Sequence, residues 1–239
     1  MPRVRQRFSQ AVAAYWAVRA AQGKKQKAAG RSDQGARAAA TGGKQMDGFI
    51  SVIAELLAGA GVSSDEIHTR KAVQTLPGFF RPTKEWDLLV VRDDRLLLAL
   101  EAKSQVGPSF GNNFNNRTEE AMGSALDLWT AFREGAFGNG PAPWLGYVLL
   151  LEDCEASRRP VTPREPHFHV FPEFRQASYA QRYELFCRKL VRERHYSSTA
   201  FLLSDRGSGA KGKFLEPADD LSVTQFAEAL LAHVGSGAK

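Results

Sequence analysis

The stretch KEWDLLVVRDDRLLLALEAKSQ, residues 84–105, decides the fold of this chain. Its two apolar runs, residues 86–91 and 96–102, have the length and composition of buried β-strands. The residues between them, Arg92-Asp-Asp-Arg95, have the composition of a tight turn. The sequence therefore predicts an antiparallel hairpin at the centre of the chain.

Three polar residues, Glu101, Lys103 and Gln105, interrupt the C-terminal end of the second predicted strand. Side chains alternate along a strand, so all three share one face, with neighbours about 6.5–7 Å apart. Asp87 opens the preceding strand, and two carboxylates beside one lysine suit Mg²⁺, which favours oxygen ligands. This set predicts hydrolysis of a phosphodiester, with Lys103 positioning and deprotonating the attacking water. The alternative is an ordinary Glu–Lys ion pair where a strand meets solvent.

The predicted site depends on the register of the hairpin. A two-residue turn at Asp93-Asp94 pairs Asp87 with Leu100, on the face of the sheet away from Glu101. A three-residue loop or a β-bulge instead pairs Asp87 with Glu101. We therefore predict an odd-length loop or a bulge in this hairpin.

The rest of the chain predicts further helices and strands around this hairpin. We expect an α/β or α+β domain with a central mixed sheet flanked by helices, and no second domain. Residues 1–239 then form one domain, with residues 1–45 as a basic helix and loop arm and residues 46–239 as the core. Apolar patterns predict helices at 8–22, from 46 to the stop at Gly59-Ala60-Gly61, and at 118–134, 179–194 and 221–234, with strands at 145–151 and 199–203. Composition predicts loops at 24–43 and 107–116.

Charge is distributed unevenly along the chain. The 239 residues carry a net charge of +6, yet residues 1–50 hold ten basic and two acidic side chains. That surplus favours a polyanionic partner such as a nucleic acid backbone, and a merely solubilising segment is the alternative. Two cysteines are too few for a secreted disulfide scaffold, and no apolar run approaches the ~20 residues of a membrane helix. These features predict a cytoplasmic protein.

Asp87 followed by Glu101-Ala-Lys103 resembles the PD-(D/E)XK nuclease signature, with Trp86 in place of the proline. The flanking segments TGGKQMDGF (41–49), EAKSQV (101–106) and GNNFNNRTEEA (111–121) resemble the XhoI family of type II restriction endonucleases. The resemblance covers essentially the whole chain and implies a PD-(D/E)XK restriction-endonuclease-like fold. It also implies a homodimeric, Mg²⁺-dependent bacterial enzyme that cuts double-stranded DNA at CTCGAG, leaving 5′ TCGA overhangs, with a companion methyltransferase that protects the host.

The resemblance also implies roles for individual residues. Asp87 and Glu101 bind Mg²⁺, and Lys103 is the catalytic lysine. Glu55, on the helix before the hairpin, is a candidate further metal ligand, and an exposed helix glutamate is the alternative. Two other functions stay open: a repair or junction-resolving nuclease of the same superfamily, and a non-catalytic DNA-binding protein.

Contacts to DNA are expected from basic and amide side chains, because Arg and Lys read guanine and Asn and Gln read adenine. The three lysines of the arm are expected to contact phosphates. An alternative for the asparagine-rich segment is a helix cap, in which Asn116 and Glu119 form a capping box. The candidate DNA-binding residues are Lys24, Lys25, Lys27, Lys44, Gln45, Gln105, Asn112, Asn113, Asn115, Asn116 and Arg117.

Overall fold

The computed structural model describes residues 2–28 and 45–236. Its strands are β1 (Ile67–His68), β2 (Thr75–Pro77), β3 (Thr83–Glu85), β4 (Leu88–Arg92), β5 (Arg95–Gln105), β6 (Trp144–Glu152) and β7 (Ser198–Ser204). Its helices are α1 (Pro2–Ala28), α2 (Asp47–Gly59), α3 (Phe110–Arg133), α4 (Glu155–Arg158), α5 (Tyr179–Arg192), α6 (Arg206–Gly209) and α7 (Val223–Ser236). Within these described residues, no helix has both the length and the apolar character that crossing a membrane requires.

A five-stranded mixed sheet forms the centre of the fold, in the order β1-β4-β5-β6-β7. The pairs β1–β4 and β4–β5 are antiparallel, whereas β5–β6 and β6–β7 are parallel. Strands β2 and β3 form a separate two-stranded hairpin. The predicted mixed sheet is confirmed, whereas the short strands β1, β2 and β3 were not predicted from the sequence.

Helices cover both faces of this sheet, so β6 and β7 are buried along their whole length. Helices α1, α2 and α7 pack on one face, where Leu100 and Val148 point. Helices α3 and α5 pack on the other face, where Ala99 and Tyr147 point. Strands buried on both faces are continuously apolar, which explains the runs seen in the sequence.

Helix α1 belongs to the core. It runs well beyond the predicted residues 8–22, and its inner face is buried against α2, α7 and the sheet. The predicted boundary at residue 45 therefore does not separate this helix from the rest of the fold. The predicted loop at 24–43 lies largely outside the described residues. The buried side chains of α1 include Val4, Phe8, Val12, Tyr15 and Trp16.

Helix α3 begins at Phe110, eight residues before its predicted start, so the prediction of a loop at 107–116 is wrong over most of its length. Asparagines are poor helix formers, and the sequence pattern therefore favoured a loop. The aromatic residues between them change the outcome, because Phe110 is buried and the Phe114 ring lies 4.9 Å from that of Tyr183. Tertiary packing thus extends the helix through a segment of low helix propensity.

The central hairpin contains the predicted bulge. Its turn has two residues, Asp93 and Asp94, both with positive φ. Val91 pairs with Leu96, but Val90 pairs with Leu98, so Leu97 is an extra residue in β5. The predicted β-bulge is confirmed.

The bulge reverses which face each later residue of β5 occupies. Leu96 packs under α3 and α5, whereas Leu98, two residues later, packs on the opposite face. Glu101 therefore points to the same face as Ala99 and Leu89.

Candidate active site

Asp87 lies immediately before β4 and is held against β5 by two hydrogen bonds. Its backbone N–H donates to the carbonyl of Leu100 at 3.0 Å. Its carboxylate Oδ2 accepts a hydrogen bond from the backbone N–H of Ala102 at 2.7 Å. Burial raises the pKa of this carboxyl above its usual range, although Lys103 acts in the opposite direction. The side chain is thus fixed beside the strand that carries Glu101 and Lys103.

Glu101 is the centre of a cluster of charges. Its side chain is only 4% exposed, and its Oε1 lies 2.7 Å from Nζ of Lys103 and 3.2 Å from Nζ of Lys84. Burial works against ionisation, but the two ammonium groups outweigh it and hold the pKa of Glu101 below its usual range. The second oxygen, Oε2, is buried and has no hydrogen-bond partner among the described residues.

Lys103 is the more exposed of the two lysines, with 27% of its side chain accessible. Burial disfavours its charged form, but the carboxylates of Glu101 and Asp87 outweigh that effect and raise its pKa. The negative charges of the two carboxylates and the positive charges of the two ammonium groups sum to zero within this cluster. Alternation along β5 puts Glu101 and Lys103 on one face, and the bulged pairing of β4 with β5 brings Asp87 beside them, so the three predicted residues lie together.

Lys84 is the member of the cluster that sequence reasoning missed. It lies on β3, its side chain is 12% exposed, and its ammonium sits 4.2 Å above the ring of Trp86. Burial lowers its pKa, with Glu101 acting in the opposite direction. The one signal in the sequence is the spacing of Lys84 and Trp86, which puts both on one face of an extended segment. Nothing in that spacing indicates that the segment folds back onto Glu101.

The donor set of the cluster fits a magnesium ion. Glu101 offers a buried, unpartnered oxygen, and Asp87 supplies a second carboxylate. In the described part of the chain, no group of three or more His, Cys, Asp or Glu side chains is placed to hold a metal. A metal held by Asp87 and Glu101 would have two protein carboxylates, and Mg²⁺ commonly completes such a shell with water and phosphate oxygens.

Glu55 does not join this cluster, which corrects its assignment as a candidate further ligand. Its side chain is 60% exposed and lies 3.4 Å from the guanidinium of Arg7. The physical reason is the layer arrangement: α2 packs on one face of the sheet, and Glu101 points to the other.

The two predicted DNA-reading glutamines are buried. Gln105 donates to the carbonyl of Phe110 at 3.0 Å and accepts from the hydroxyl of Tyr183, so it anchors the start of α3. Nε2 of Gln45 donates to Oε1 of Gln22 at 2.8 Å, which connects the segment just before α2 to α1. Both side chains form hydrogen bonds within the fold and are buried, so neither lies on a surface that DNA could reach.

The asparagines lie in the first turns of α3. Asn112, Asn115 and Asn116 are exposed and Asn113 is half-buried. None of the four makes a side-chain hydrogen bond to the described part of the chain. Asn116 stands inside the helix, so the alternative capping box with Glu119 is wrong.

Arg117 follows them and lies close enough to Lys103 for the two positive charges to repel. It forms an ion pair with Glu120, and its Nε is buried without a hydrogen-bond partner in the described structure. The N-terminal part of α3 therefore borders the cluster.

The predicted DNA contacts of the N-terminal segment, to phosphates by Lys24, Lys25 and Lys27 and to bases by Lys44, are only partly described. Lys24 is exposed near the end of α1. Lys44 lies outside the described residues, as do the side chains of Lys25 and Lys27.

A mixed sheet with helices on both faces, and with acidic and lysine side chains gathered at its antiparallel hairpin, is typical of proteins with a restriction-endonuclease-like fold. The model of the restriction endonuclease XhoI family matches residues 25–216. The chain belongs to this family, which confirms the resemblance inferred from its motifs.

Three curated relatives agree with this assignment. The type II restriction enzyme BstVI of Geobacillus stearothermophilus is 56% identical over 217 residues, 89% of this chain and 96% of that enzyme. The type II restriction enzyme AbrI of Azospirillum brasilense is 52% identical over 159 residues, 66% of this chain and 71% of that enzyme. The type II restriction enzyme XhoI of Xanthomonas vasicola is 51% identical over 162 residues, 67% of this chain and 65% of that enzyme. No solved structure matches the chain.

Proposed function

We propose that the protein is a Mg²⁺-dependent type II restriction endonuclease that cuts duplex DNA at CTCGAG. The cut falls after the first C of each strand, leaving 5′ TCGA overhangs that carry 5′-phosphates. Membership of the family supports the coarser statement, a site-specific endonuclease. The observation that carries the catalytic part of the proposal is the buried, unpartnered Oε2 of Glu101 beside Asp87 and two lysines. The recognition sequence and the cut position rest on the resemblance to the family.

In this proposal Asp87 and Glu101 hold Mg²⁺. Mg²⁺ bound by these two carboxylates would supply Lewis-acid polarisation of a phosphate oxygen and would neutralise charge that develops during hydrolysis. Lys84 forms an ion pair with Oε1 of Glu101, and Oε2 of the same carboxylate is the oxygen that remains available to a metal. Asp87 is held in place by the backbone N–H of Ala102.

Lys103 acts on the substrate side of the cluster. Its raised pKa means that Nζ keeps its proton in the cluster without metal. The ammonium therefore serves as a donor that positions the scissile phosphate and the attacking water. This charge state supports the positioning role more than the role of base.

A palindromic site has two equivalent scissile phosphates, so cutting both strands calls for two equivalent active sites. We propose that the protein acts as a homodimer on double-stranded DNA. A cognate methyltransferase would modify the same sequence and protect the host DNA without any physical contact. Both described cysteines, Cys154 and Cys187, are free thiols, which is consistent with a cytoplasmic location.

Digestion of two matched plasmids tests this function. One carries a single CTCGAG site, and the other differs from it by one base pair in that site. With Mg²⁺, the proposal expects linearisation of the first plasmid only, with TCGA overhangs at the sequenced ends. Nicking at branched or damaged structures, with no sequence preference, would favour the repair or junction-resolving nuclease instead. Sequence-specific binding without cleavage would favour the non-catalytic DNA-binding protein.

A further inference from the structure

The hairpin β2–β3 ends in a loop that exposes two neighbouring aromatic side chains. Phe79 is 54% exposed and Phe80 is 67% exposed, and their rings pack edge to face at 5.5 Å. Leaving large apolar side chains in water forgoes stabilisation that burial normally provides. Two such residues side by side at a loop tip are typical of a contact surface.

The chain holds this tip in one conformation. The carboxylate of Asp127, itself 4% exposed, accepts from the backbone N–H of Phe79 at 2.7 Å and of Phe80 at 2.8 Å. It also pairs with Nε of Arg81 at 2.6 Å. At Gly78 a Cβ atom would overlap the carboxylate of Asp127 and lie 2.7 Å from the carbonyl oxygen of Arg81, so the position requires glycine. The buried carboxylate of Asp127 thus fixes the backbone of the loop in a conformation that leaves both phenylalanine rings exposed to solvent.

The tip lies near the proposed catalytic cluster. Strand β3 follows the loop, and Lys84, which contacts Glu101, is four residues after Phe80. At about 3.3 Å per residue, these two backbone positions are at most about 13 Å apart. That distance corresponds to about four base pairs of duplex DNA, which rises about 3.4 Å per base pair. The loop tip therefore lies within a few base pairs' length of the residue that contacts Glu101, where the proposed function places the scissile phosphate.

The charge around the hairpin suits a polyanion. Residues 67–84 contain four basic side chains and no Asp or Glu, and Glu85 follows at the end of β3. Arg81 and Lys84 are already paired with carboxylates of the chain. Arg70 and Lys71 are exposed, and they are the two that can meet phosphates. A second copy of the chain would bring a similar basic segment to a symmetric contact here, and like charges would oppose it. Duplex DNA offers phosphates to the basic side chains and stacked bases to the rings. The four basic residues are Arg70, Lys71, Arg81 and Lys84.

We propose that the β2–β3 hairpin enters a groove of the bound duplex and that Phe79 and Phe80 insert as a wedge at a base step near the scissile phosphate. Apolar side chains used in this way unstack a step and bend the DNA. The inference rests on the proposed function, because the cleavage site decides where the duplex lies. It adds a contact to the bases by a segment that none of the sequence motifs includes.

A double variant, Phe79→Ala with Phe80→Ala, tests the wedge. Duplexes containing CTCGAG carry 2-aminopurine at one position at a time, within the site and in its flanks, and binding is measured with Ca²⁺ so that no cleavage occurs. The parent protein is expected to raise the fluorescence severalfold at one or two positions, which marks the unstacked step. The double variant should lose that rise and bind the duplex about 10–100-fold more weakly, as when aromatic side chains that stack on bases are removed.

The matched control is Phe168→Ala with Phe171→Ala, which removes two other exposed phenylalanines, 89% and 76% accessible. It should keep the parent fluorescence pattern. The wedge is overturned if the parent raises fluorescence at no position, or if the Phe79/Phe80 variant keeps the rise. A smaller oligomer for that variant in sedimentation velocity would instead make the pair a subunit contact. Failure of the parent to cut a CTCGAG plasmid with Mg²⁺ is a separate result, and it counts against the proposed function itself.

Discussion

Nζ of Lys84 lies 3.2 Å from Oε1 of Glu101, although the two residues belong to different β-sheets. Lys103, from the same strand as Glu101, reaches that oxygen at 2.7 Å. One carboxylate oxygen thus takes two ammonium groups, while the other oxygen stays buried without a partner in the described structure. In the protein without metal, Lys84 and Lys103 therefore neutralise the negative charge of the proposed metal ligands.

Replacing Lys84 should strengthen cation binding in the absence of DNA. Lys84→Met removes a positive charge close to a proposed ligand, and a unit charge at about 4 Å is worth about 1 kcal/mol even in water. We expect Mn²⁺ to bind about five- to tenfold more tightly, measured by titration calorimetry. Lys189→Met, which removes an exposed lysine paired with Glu193, is the control and should leave the affinity unchanged. Equal affinities for all three proteins would show that Lys84 is not coupled to the metal.

Replacing Glu101 should separate binding from cleavage. Glu101→Gln keeps the shape of the side chain but removes a proposed metal ligand, so we expect cleavage to fall by more than about 100-fold. Sequence-specific binding, measured by fluorescence anisotropy with Ca²⁺, should stay within about threefold of the parent. Loss of both activities together with a lower melting temperature would mean that Glu101 supports the fold instead.

Arg117 should contribute more to specific than to non-specific binding. Its buried Nε has no hydrogen-bond partner in the described structure, and it borders Lys103 at the edge of the cluster. Arg117→Ala is expected to weaken binding to a CTCGAG duplex by about 10–100-fold and to change binding to an unrelated duplex much less. An equal loss on both duplexes would identify a phosphate contact or a structural residue.

Asp127 should make stability depend on pH. Burial opposes its ionisation, but the backbone N–H of Phe80 and the guanidinium of Arg81 outweigh burial and lower its pKa in the folded state. A lowered pKa stabilises the fold above the unfolded value of about 3.9 and loses that effect as pH falls through the folded value. Asp127→Asn should therefore cost about 2 kcal/mol at pH 7, and less below pH 4, by urea unfolding. A difference that stays constant with pH would contradict this assignment.

The lysines near the end of α1 should affect the salt dependence of binding. Neutralising Lys24, Lys25 and Lys27 together is expected to lower the slope of log affinity against log salt by up to about 2.7, because each phosphate contact releases about 0.9 counterion. Affinities measured between low and physiological salt give the slope directly. An unchanged slope would leave the lysines a solubilising role only.

The local features of the catalytic hairpin were readable from the sequence. Alternation along one strand places Glu101 and Lys103 on one face, and the requirement that Asp87 join them predicted the bulge that the structure contains at Leu97. Such patterns depend on neighbouring residues, and the geometry of a strand is the same in every fold. The family could also be inferred, because its motifs are short continuous segments.

Contacts between distant segments depended on the assembled fold. The sequence did not indicate that β3 carries Lys84 onto Glu101, that α2 turns Glu55 to the opposite side of the sheet, or that Gln105 is buried under α3. The sequence also favoured a loop at residues 107–116, where packing of Phe110 and Phe114 stabilises the first turns of α3 instead. The physical reason is the same in each case: alternation and helix periodicity set the direction of a side chain relative to its own element. Packing between layers sets which elements meet.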